Sequence, residues 1–273
     1  MSNRNVFATR AGIPEINDCY FYHEMDLPGV GHVGGEWDLR GREEEYLGGV
    51  DLRGKRVLEV GTASGHLCFY MEREGADVVA FDLSENESWD IVPYQRYDWE
   101  GALLGRRLHV KRVNNAFWLA HGAFRSKAKM VYGSVYAIPR EIGSVDITTF
   151  GSILVHVRDP FFALQNALSL TRETVVVTEA YSLPRKALDT VRGSHISFMP
   201  DFLRCEPKEA WWHLSPRVIQ RFLGVLGFEK CETTYHYQKG RVRKGRVEDK
   251  SHRHRFFTIV GHRTQGLQRF KST

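Results

Sequence analysis

The sequence predicts an α/β fold with a doubly wound, mostly parallel sheet of seven strands that ends in an antiparallel hairpin. Three observations predict it. From Arg56 onward, a strand, a helix and a second strand follow within about 30 residues, the length of a βαβ unit. Short apolar runs then alternate with helical segments. The last two strands have only a short connection, which suits antiparallel neighbours.

The first βαβ unit contains two apolar strands and one helix. Arg56–Val60 and Ala76–Phe81 are short apolar runs bounded by glycines. Ser64–Arg73 between them carries an apolar stripe at helical spacing, and Gly75 is a natural end for that helix. Such a unit implies two parallel strands with a right-handed crossover.

The rest of the chain continues this alternation of strands and helices. The predicted strands are Met130–Tyr136, Val145–Phe150, Thr174–Thr178, Cys231–Tyr237 and Arg255–Val260, and the predicted helices are Asn115–Phe124, Pro160–Leu170 and Pro216–Leu226.

The predicted fold occupies only part of the chain. Residues 1–50 are irregular and are interpreted as an N-terminal cap, residues 51–262 as the α/β domain, and residues 263–273 as a tail. Within the domain, residues 84–129 and 184–213 exceed what simple connections need, so they are predicted insertions.

Composition indicates a soluble, cytoplasmic protein. Of the 273 residues, 42% are hydrophobic, enough for a sizeable core. The apolar runs are strand-sized, and Met1–Arg10 lacks an apolar signal region, so we expect no membrane partner. The composition leaves open whether the protein forms a homo-oligomer.

No metal site is predicted. The four cysteines are scattered without zinc-ligand spacing and are interpreted as reduced thiols. His252 and His254 lie in an Arg-rich stretch that suits a solvated face.

The positive charge is local, although the net charge of +5 is modest. It is concentrated in Lys239–Arg246 and Lys250–Arg255. These runs predict a solvated hairpin loop. The alternative is that they bind an anionic partner.

A glycine-containing turn follows the first strand, at Val57–Gly65. Gly61 and Gly65 allow a tight turn and a close approach of the backbone to a ligand. Asp82 ends the next strand, about 20 residues on, where an acid can accept hydrogen bonds from ribose hydroxyls. The segment predicts a nucleoside-binding site at the carboxyl ends of the strands.

This turn is open to three interpretations. A dinucleotide site normally has Gly-x-Gly-x-x-Gly, but Ala63 occupies the place of the second glycine. Glu59 would repel a phosphate, whereas it could orient the ammonium of a methionine moiety. The third interpretation is a turn that binds nothing.

The turn and Asp82 resemble motifs of class I S-adenosylmethionine-dependent methyltransferases, which have a Rossmann-like fold. Val131–Tyr136 resembles the adenine-contacting motif of that family, and Val145–Pro160 its fourth motif. Ala210–Pro216 resembles methyltransferases similar to the tRNA wobble-uridine 5-oxyacetate enzyme. The resemblance implies S-adenosylmethionine as cofactor. It implies that the cofactor contacts Glu59, Gly61, Thr62, Ala63, Gly65, Asp82, Leu83, Ser134, Val135 and Gly151.

The chemistry that the resemblance implies is an in-line displacement at the methyl carbon. A general base is needed only when the acceptor must lose a proton. His156 follows the fourth strand and is the candidate base or acceptor-positioning residue, with ordinary packing as the alternative. The candidate acceptor contacts are Tyr22, His23, Arg158, His195, Trp211 and His213.

Two of the three functional hypotheses differ in the class of acceptor molecule. The aromatic-rich cap and insertion favour an enclosed small molecule, such as a natural product, a sugar or an aromatic metabolite. The alternative acceptor is a wobble-uridine derivative in tRNA, which the basic loop favours. A non-catalytic donor-binding protein is the third hypothesis.

Overall fold

The computed structural model describes residues 6–9, 12–181, 191–241 and 251–266, with Trp99 and Ser251 described by backbone only. The strands are β1 Met25–Leu27, β2 Gly31–Val33, β3 Trp37–Asp38, β4 Arg56–Val60, β5 Asp77–Asp82, β6 Lys129–Tyr132, β7 Val145–Gly151, β8 Thr171–Tyr181, β9 Ile196–Phe198, β10 Trp212–Leu214, β11 Lys230–Arg241 and β12 Ser251–His262; the α-helices are α1 Glu43–Tyr46, α2 His66–Arg73, α3 Trp99–Ala123, α4 Pro160–Leu168 and α5 Pro216–Val225.

Within the described residues, the central sheet has eight strands in the order β3-β11-β12-β8-β7-β4-β5-β6. The five strands from β8 to β6 are parallel, and β12, β11 and β3 are antiparallel to their neighbours. The parallel sheet and the terminal hairpin are therefore confirmed. The predicted count of seven strands is wrong because Trp37–Asp38, inside the predicted cap, pairs with β11. Two residues between glycine-rich segments show no alternation that could indicate a strand.

Two apolar layers cover the faces of the sheet. Phe117 of α3 and Met71 of α2 are fully buried on one face. Leu164 of α4 and Leu223 of α5 are fully buried on the other. Because helices cover both faces, β7 is buried continuously from Val145 to Phe150 rather than in alternation.

Helix α3 is much longer than predicted. The sequence predicts Asn115–Phe124, but the helix begins after Asp98, whose side chain accepts a hydrogen bond from the Glu100 amide at 3.2 Å. Gly101 and Gly105 lower the helix propensity of the first turns and obscure this start. The helix is the crossover between β5 and β6, and it occupies much of the predicted insertion at 84–129.

Strand ends also differ from the predictions. The strand predicted to end at Tyr136 ends at Tyr132 and is followed by a 3-10 turn, Val135–Ala137. The final hairpin is longer than predicted, so Lys239 and Arg253 pair within strands instead of lying in a loop. Residues 242–250 of the basic run, like residues 184–190 of the second insertion, lie outside the described residues.

Ion pairs tie the cap segment to the sheet. Arg40 binds Glu24 at 3.0 Å, Asp26 at 2.8 Å and Asp38 at 2.8 Å. Arg241 at the end of β11 binds the same Glu24 at 2.7 Å. These pairs tie Glu24 and the segment around Arg40 to β3 and to the end of β11. None of the helices among the described residues is long and apolar enough to cross a membrane.

Candidate active site

A cavity of about 810 Å³ lies at the carboxyl ends of the parallel strands. The turn after β4 and the end of β5 line one half of it, where Glu59, Gly61 and Asp82 are found. The cap lines the other half through Tyr22 and Trp37. Pockets that enclose small ligands span about 300–1,000 Å³, so this cavity is near the upper end of that range.

The turn between β4 and α2 adopts a conformation that favours glycine. Gly61 has a φ of 82° and Gly65 a φ of 89°, both in the left-handed region. A Cβ on Gly65 would lie 2.5 Å from Cε2 of Phe69 and 2.8 Å from Cδ2 of Phe117. The two glycines therefore let α2 begin directly beneath the strand, against the core.

Asp82 faces the cavity from the end of β5. Its Oδ2 accepts the Ala63 amide hydrogen bond at 2.7 Å, and its Oδ1 accepts the Leu83 amide at 2.7 Å. Burial raises the pKa of this carboxyl. Each oxygen keeps a second lone pair for an outside donor. The pair of oxygens suits two adjacent hydroxyls, such as those of a ribose.

Glu59 is a buried carboxyl without a cationic partner among the described residues. Its Oε2 accepts a hydrogen bond from the Thr62 hydroxyl at 2.6 Å. Burial, together with the nearby charge of Asp82, raises its pKa to about 8. An ammonium group bound beside Glu59 would supply the missing positive charge.

These two carboxyls fit S-adenosylmethionine, which has both an ammonium group and a ribose. They do not fit a pyrophosphate, which two buried acids would repel. The residues that hold the cofactor would be Glu59 and Asp82. Bound there, it would supply an electrophilic methyl group.

Five other predicted cofactor residues lie outside the lining of the cavity: Thr62, Gly65, Leu83, Ser134 and Val135. Ser134 accepts the Tyr136 amide at 3.3 Å and begins the 3-10 turn. Ala63 and Gly151 do line the cavity. Asn114 of α3 lines it too and donates to the Leu83 carbonyl at 3.1 Å, a contact that no spacing in the sequence indicated.

Four predicted acceptor-side residues line the cavity: Tyr22, His23, His156 and His213. Nδ1 of His156 lies 2.5 Å from the Glu209 carbonyl oxygen. Because a carbonyl only accepts, Nδ1 must donate there, which leaves Nε2 of the neutral ring as an acceptor.

The other three predicted contacts, Arg158, His195 and Trp211, lie outside the lining. The Arg158 guanidinium stacks 5.0 Å above the ring of Trp211. The indole of Trp211 donates to the Asp90 carbonyl at 2.5 Å, so this buried ring supports the wall from behind. The His195 ring lies 5.7 Å from that of His213.

Sequence reasoning missed several cavity residues because they come from distant segments. Arg106 of α3 forms an ion pair with Glu209 and lies 5.4 Å from the ring of Trp89. Glu179 of β8 accepts the Leu154 amide at 2.8 Å. Burial raises the pKa of Glu179 to about 8. Its only sequence signal is an acid at the end of a buried strand.

No group of three or more histidine, cysteine, aspartate or glutamate side chains within the described ranges could hold a metal ion.

The buried carboxyl of Glu59 predicts a pH-dependent stability. A raised pKa favours the protonated folded state, so this stabilisation is complete below about pH 4.3 and disappears as the pH rises through about 8. We expect the free energy of unfolding of Glu59→Gln to rise relative to that of the unliganded wild type by on the order of 1–3 kcal/mol as the pH goes from 5 to 9. Urea unfolding at both pH values measures the gain. Glu232→Gln, at an exposed position, is the control. A gain independent of pH would contradict the assignment.

The sequence of this chain matches a known protein family. The methyltransferase domain family matches residues 39–222, about two thirds of the chain. No curated protein sequence matches at a significant level.

Solved structures show the same fold. The N-terminal domain of EvdMO1, crystallised with S-adenosylhomocysteine and D-fucose, is 16% identical with a TM-score of 0.53, covering 89% of this chain and 91% of that one. A Pyrococcus horikoshii protein proposed to be an RNA methyltransferase is 16% identical with a TM-score of 0.50, covering 81% and 83%. YcgJ from Bacillus subtilis is 11% identical with a TM-score of 0.52, covering 82% and 98%.

The extent of the family match, together with the turn and the two carboxyls that suit the methyl donor, leads to one conclusion: the chain belongs to the methyltransferase domain family and is an S-adenosylmethionine-dependent methyltransferase.

Proposed function

We propose that the chain methylates a small, neutral, ring-containing molecule, such as a sugar or an aromatic metabolite, by in-line displacement. The observation that carries this proposal is the enclosure of the acceptor half of the cavity by the cap. Tyr22, His23 and Trp37 all reach the cavity from the cap. A cavity covered in this way by aromatic side chains suits a small acceptor that packs against them.

The lining favours a flat or ring-shaped acceptor. Aromatic side chains from the cap, the segment before α3 and β10 line the cavity: Tyr22, Trp37, Trp89, Tyr97 and Trp212. Such rings offer large apolar faces against which a sugar or aromatic ring can pack.

The charges of the lining disfavour an anionic acceptor. Arg106 is already paired with Glu209. Glu36 adds negative charge on the acceptor side, and an anion bound there would further oppose the ionisation of the buried Glu179 carboxyl. A neutral acceptor avoids repulsion from these carboxyls.

Polar groups in the acceptor half can orient the substrate. Nε2 of His156 is placed to accept a hydrogen bond from an acceptor hydroxyl. Nδ1 of His23 is buried without a hydrogen-bond partner among the described residues. Burial lowers the pKa of His23 to about 3, so its ring is neutral and can donate or accept. His213 and Tyr22 complete this set of acceptor contacts. Arg158, His195 and Trp211 act behind the wall and hold it in place.

RNA is the second candidate acceptor, because of an aromatic and basic row on the terminal hairpin. Tyr181, Arg255 and Tyr237 are adjacent across β8, β12 and β11. The Arg253 guanidinium lies 4.6 Å above the partly exposed Tyr237 ring. Aromatic and cationic side chains together suit unpaired bases and phosphates. A wobble-uridine derivative belongs to this candidate.

The two candidates predict opposite results for basic residues on the hairpin. We expect that replacing Arg243, Lys244, Arg246 and Arg253 by Ser leaves methyl transfer to a small acceptor within about threefold of wild type, because the charges of a solvated loop contribute little to binding a neutral molecule. Arg253, the one of these four within the described residues, is not part of the cavity lining. Arg241 is kept, because it pairs with Glu24 of the cap.

The experiment measures transfer of labelled methyl from S-adenosylmethionine to a panel of hexoses and phenols and to bulk tRNA. The D-fucose in the EvdMO1 crystal motivates the hexoses. Transfer to tRNA alone, lost in the four-residue variant, would reverse the assignment to small molecules.

A further inference from the structure

Glu179 has a position unlike that of the other acids in the cavity. It lies near the end of β8, beside the turn that follows β7, and only 5% of it is exposed. Its Oε1 accepts the Leu154 amide hydrogen bond at 2.8 Å, which orients the carboxyl. No cationic side chain of the described residues pairs with it.

The remaining cavity acids are engaged elsewhere. Glu209 forms an ion pair with Arg106, and Glu36 accepts a hydrogen bond from the Tyr20 hydroxyl. Asp82 and Glu59 lie on the donor side. Glu36 is half-buried and Glu209 is exposed, so among the described acids on the acceptor side Glu179 is the one that is almost fully buried.

Tyr46 interacts electrostatically with both Glu179 and the donor-side acid Glu59. The pKa of the Tyr46 hydroxyl is raised by burial and also by the charges of Glu179 and Glu59. The hydroxyl therefore lies within the electrostatic range of both acids. A Cβ on Gly151, at the end of β7, would lie 3.0 Å from this hydroxyl oxygen. Tyr46, Glu179 and Glu59 all line the same cavity.

We propose that the acceptor atom is a hydroxyl oxygen and that the Glu179 carboxylate takes its proton. This inference rests on the proposed methylation of a small molecule. The acceptor oxygen forms a bond to the methyl carbon while the carbon–sulfur bond breaks and its electron pair stays on sulfur. The hydroxyl proton moves to Glu179 and later leaves to solvent. A hydroxyl needs such a base because the neutral alcohol is a weak nucleophile.

His156 is less suited to this task than Glu179. It is half-buried, and its Nδ1 is held by the Glu209 carbonyl. Its free nitrogen can position the acceptor at the edge of the cavity. Glu179 is almost fully buried, where water does not compete for the proton.

The ionisation of Glu179 provides a direct test. Burial raises its pKa to about 8, so near pH 7.5 much of it carries a proton when the cavity holds no cation. The cationic sulfonium of the donor lowers that pKa, whereas the neutral sulfur of S-adenosylhomocysteine does not. The titratable groups that interact electrostatically with this acid are Tyr46 of α1 and Tyr22 of the cap. His156 after β7 and His213 of β10 line the same cavity. Glu59 faces the ammonium in both ligands, so its contribution cancels in the comparison.

The experiment is calorimetry of both ligands at pH 7.5 in two buffers of different ionisation enthalpy, which counts the protons released. We expect wild type to release roughly half a proton more with S-adenosylmethionine than with S-adenosylhomocysteine. The excess should disappear in Glu179→Gln and persist in Glu36→Gln. The glutamine carbonyl oxygen can still accept the Leu154 amide, which preserves the turn.

Turnover gives a second readout. With a hydroxyl acceptor found in the panel, Glu179→Gln should lower kcat by about 10²–10⁴ and remove the rise of kcat with pH, while KM stays close to wild type. If the variant does not fold, carbon-13 NMR titration of the glutamate carboxyls in wild type, with and without each ligand, measures the same difference.

The possible outcomes distinguish a failure of the Glu179 assignment from a failure of the proposed function. If both ligands bind and small acceptors are methylated, but the excess release persists in Glu179→Gln or its kcat stays within threefold of wild type, Glu179 is not the base. A product methylated on nitrogen or carbon would equally overturn the hydroxyl assignment. Methylation of tRNA alone would instead overturn the proposed function on which this inference rests.

Discussion

Replacing Asp82 by alanine is expected to weaken binding of S-adenosylmethionine by roughly 10- to 150-fold, the equivalent of about 1.5–3 kcal/mol for hydrogen bonds to a charged group. The variant removes both oxygens that face the ribose. It also removes the partner of the Ala63 amide, which holds the turn after β4. Isothermal titration calorimetry measures the change in affinity directly.

Two further variants separate these contributions. Asp82→Asn keeps one oxygen and should lose less affinity than Asp82→Ala. Asp77→Ala lies on the same strand but at its exposed start, where it pairs with Arg56 at 3.3 Å, and should bind as wild type does. Equal affinities of Asp82→Ala and Asp77→Ala would remove Asp82 from the donor site.

Gly35→Ala is expected to reduce methyl transfer by about 100-fold or more while the affinity for S-adenosylmethionine stays within about threefold. A Cβ on Gly35 would lie 2.3 Å from the carbonyl carbon of His23 and 2.5 Å from the amide nitrogen of Glu24. These are backbone atoms that cannot rotate away, so the cap must shift. A displacement of about 1 Å near an acceptor can lower the rate by this factor.

Gly34→Ala is the matched control for this cap variant. Its new Cβ would meet only the Arg241 guanidinium at 3.9 Å, an ordinary contact. Transfer by Gly35→Ala at the wild-type rate would show that the cap does not shape the acceptor site. An equal loss of donor affinity would show that the two halves of the cavity are not separable.

The donor half of the cavity lining could be predicted in part, because Glu59, Gly61, Ala63 and Asp82 are close in sequence. Glu59, Gly61 and Gly65 lie within one strand and turn, and Asp82 ends the next strand in the same βαβ unit. Strand periodicity and the glycine turn are therefore sufficient to bring these residues together.

The acceptor half could be predicted only in part, because tertiary contacts assemble it from the cap, α3, the turn after β7 and the end of β8. Glu179 was missed although it has the same setting as Asp82, an acid near the carboxyl end of a buried parallel strand. Arg106 lies in helical turns whose start the glycines of α3 obscure. No local pattern indicates that either side chain reaches the cavity.

The cap and the terminal hairpin differ from prediction for one physical reason. Trp37–Asp38 becomes a strand only because β11 offers a free edge beside it. Lys239 and Arg253 extend the hairpin because the backbone pairing continues through charged residues that resemble a loop in sequence. Strand pairing between distant segments overrides local composition in both cases.

Calorimetric titration of the wild-type protein with S-adenosylmethionine, S-adenosylhomocysteine and NAD⁺ tests the central claim most directly. The account predicts that both sulfur compounds bind with one site per chain, because Glu59 and Asp82 complement the ammonium and ribose that they share. It predicts no measurable binding of NAD⁺, whose pyrophosphate would meet the same two buried carboxyls. Tighter binding of NAD⁺, or no binding of either sulfur compound, would contradict the account.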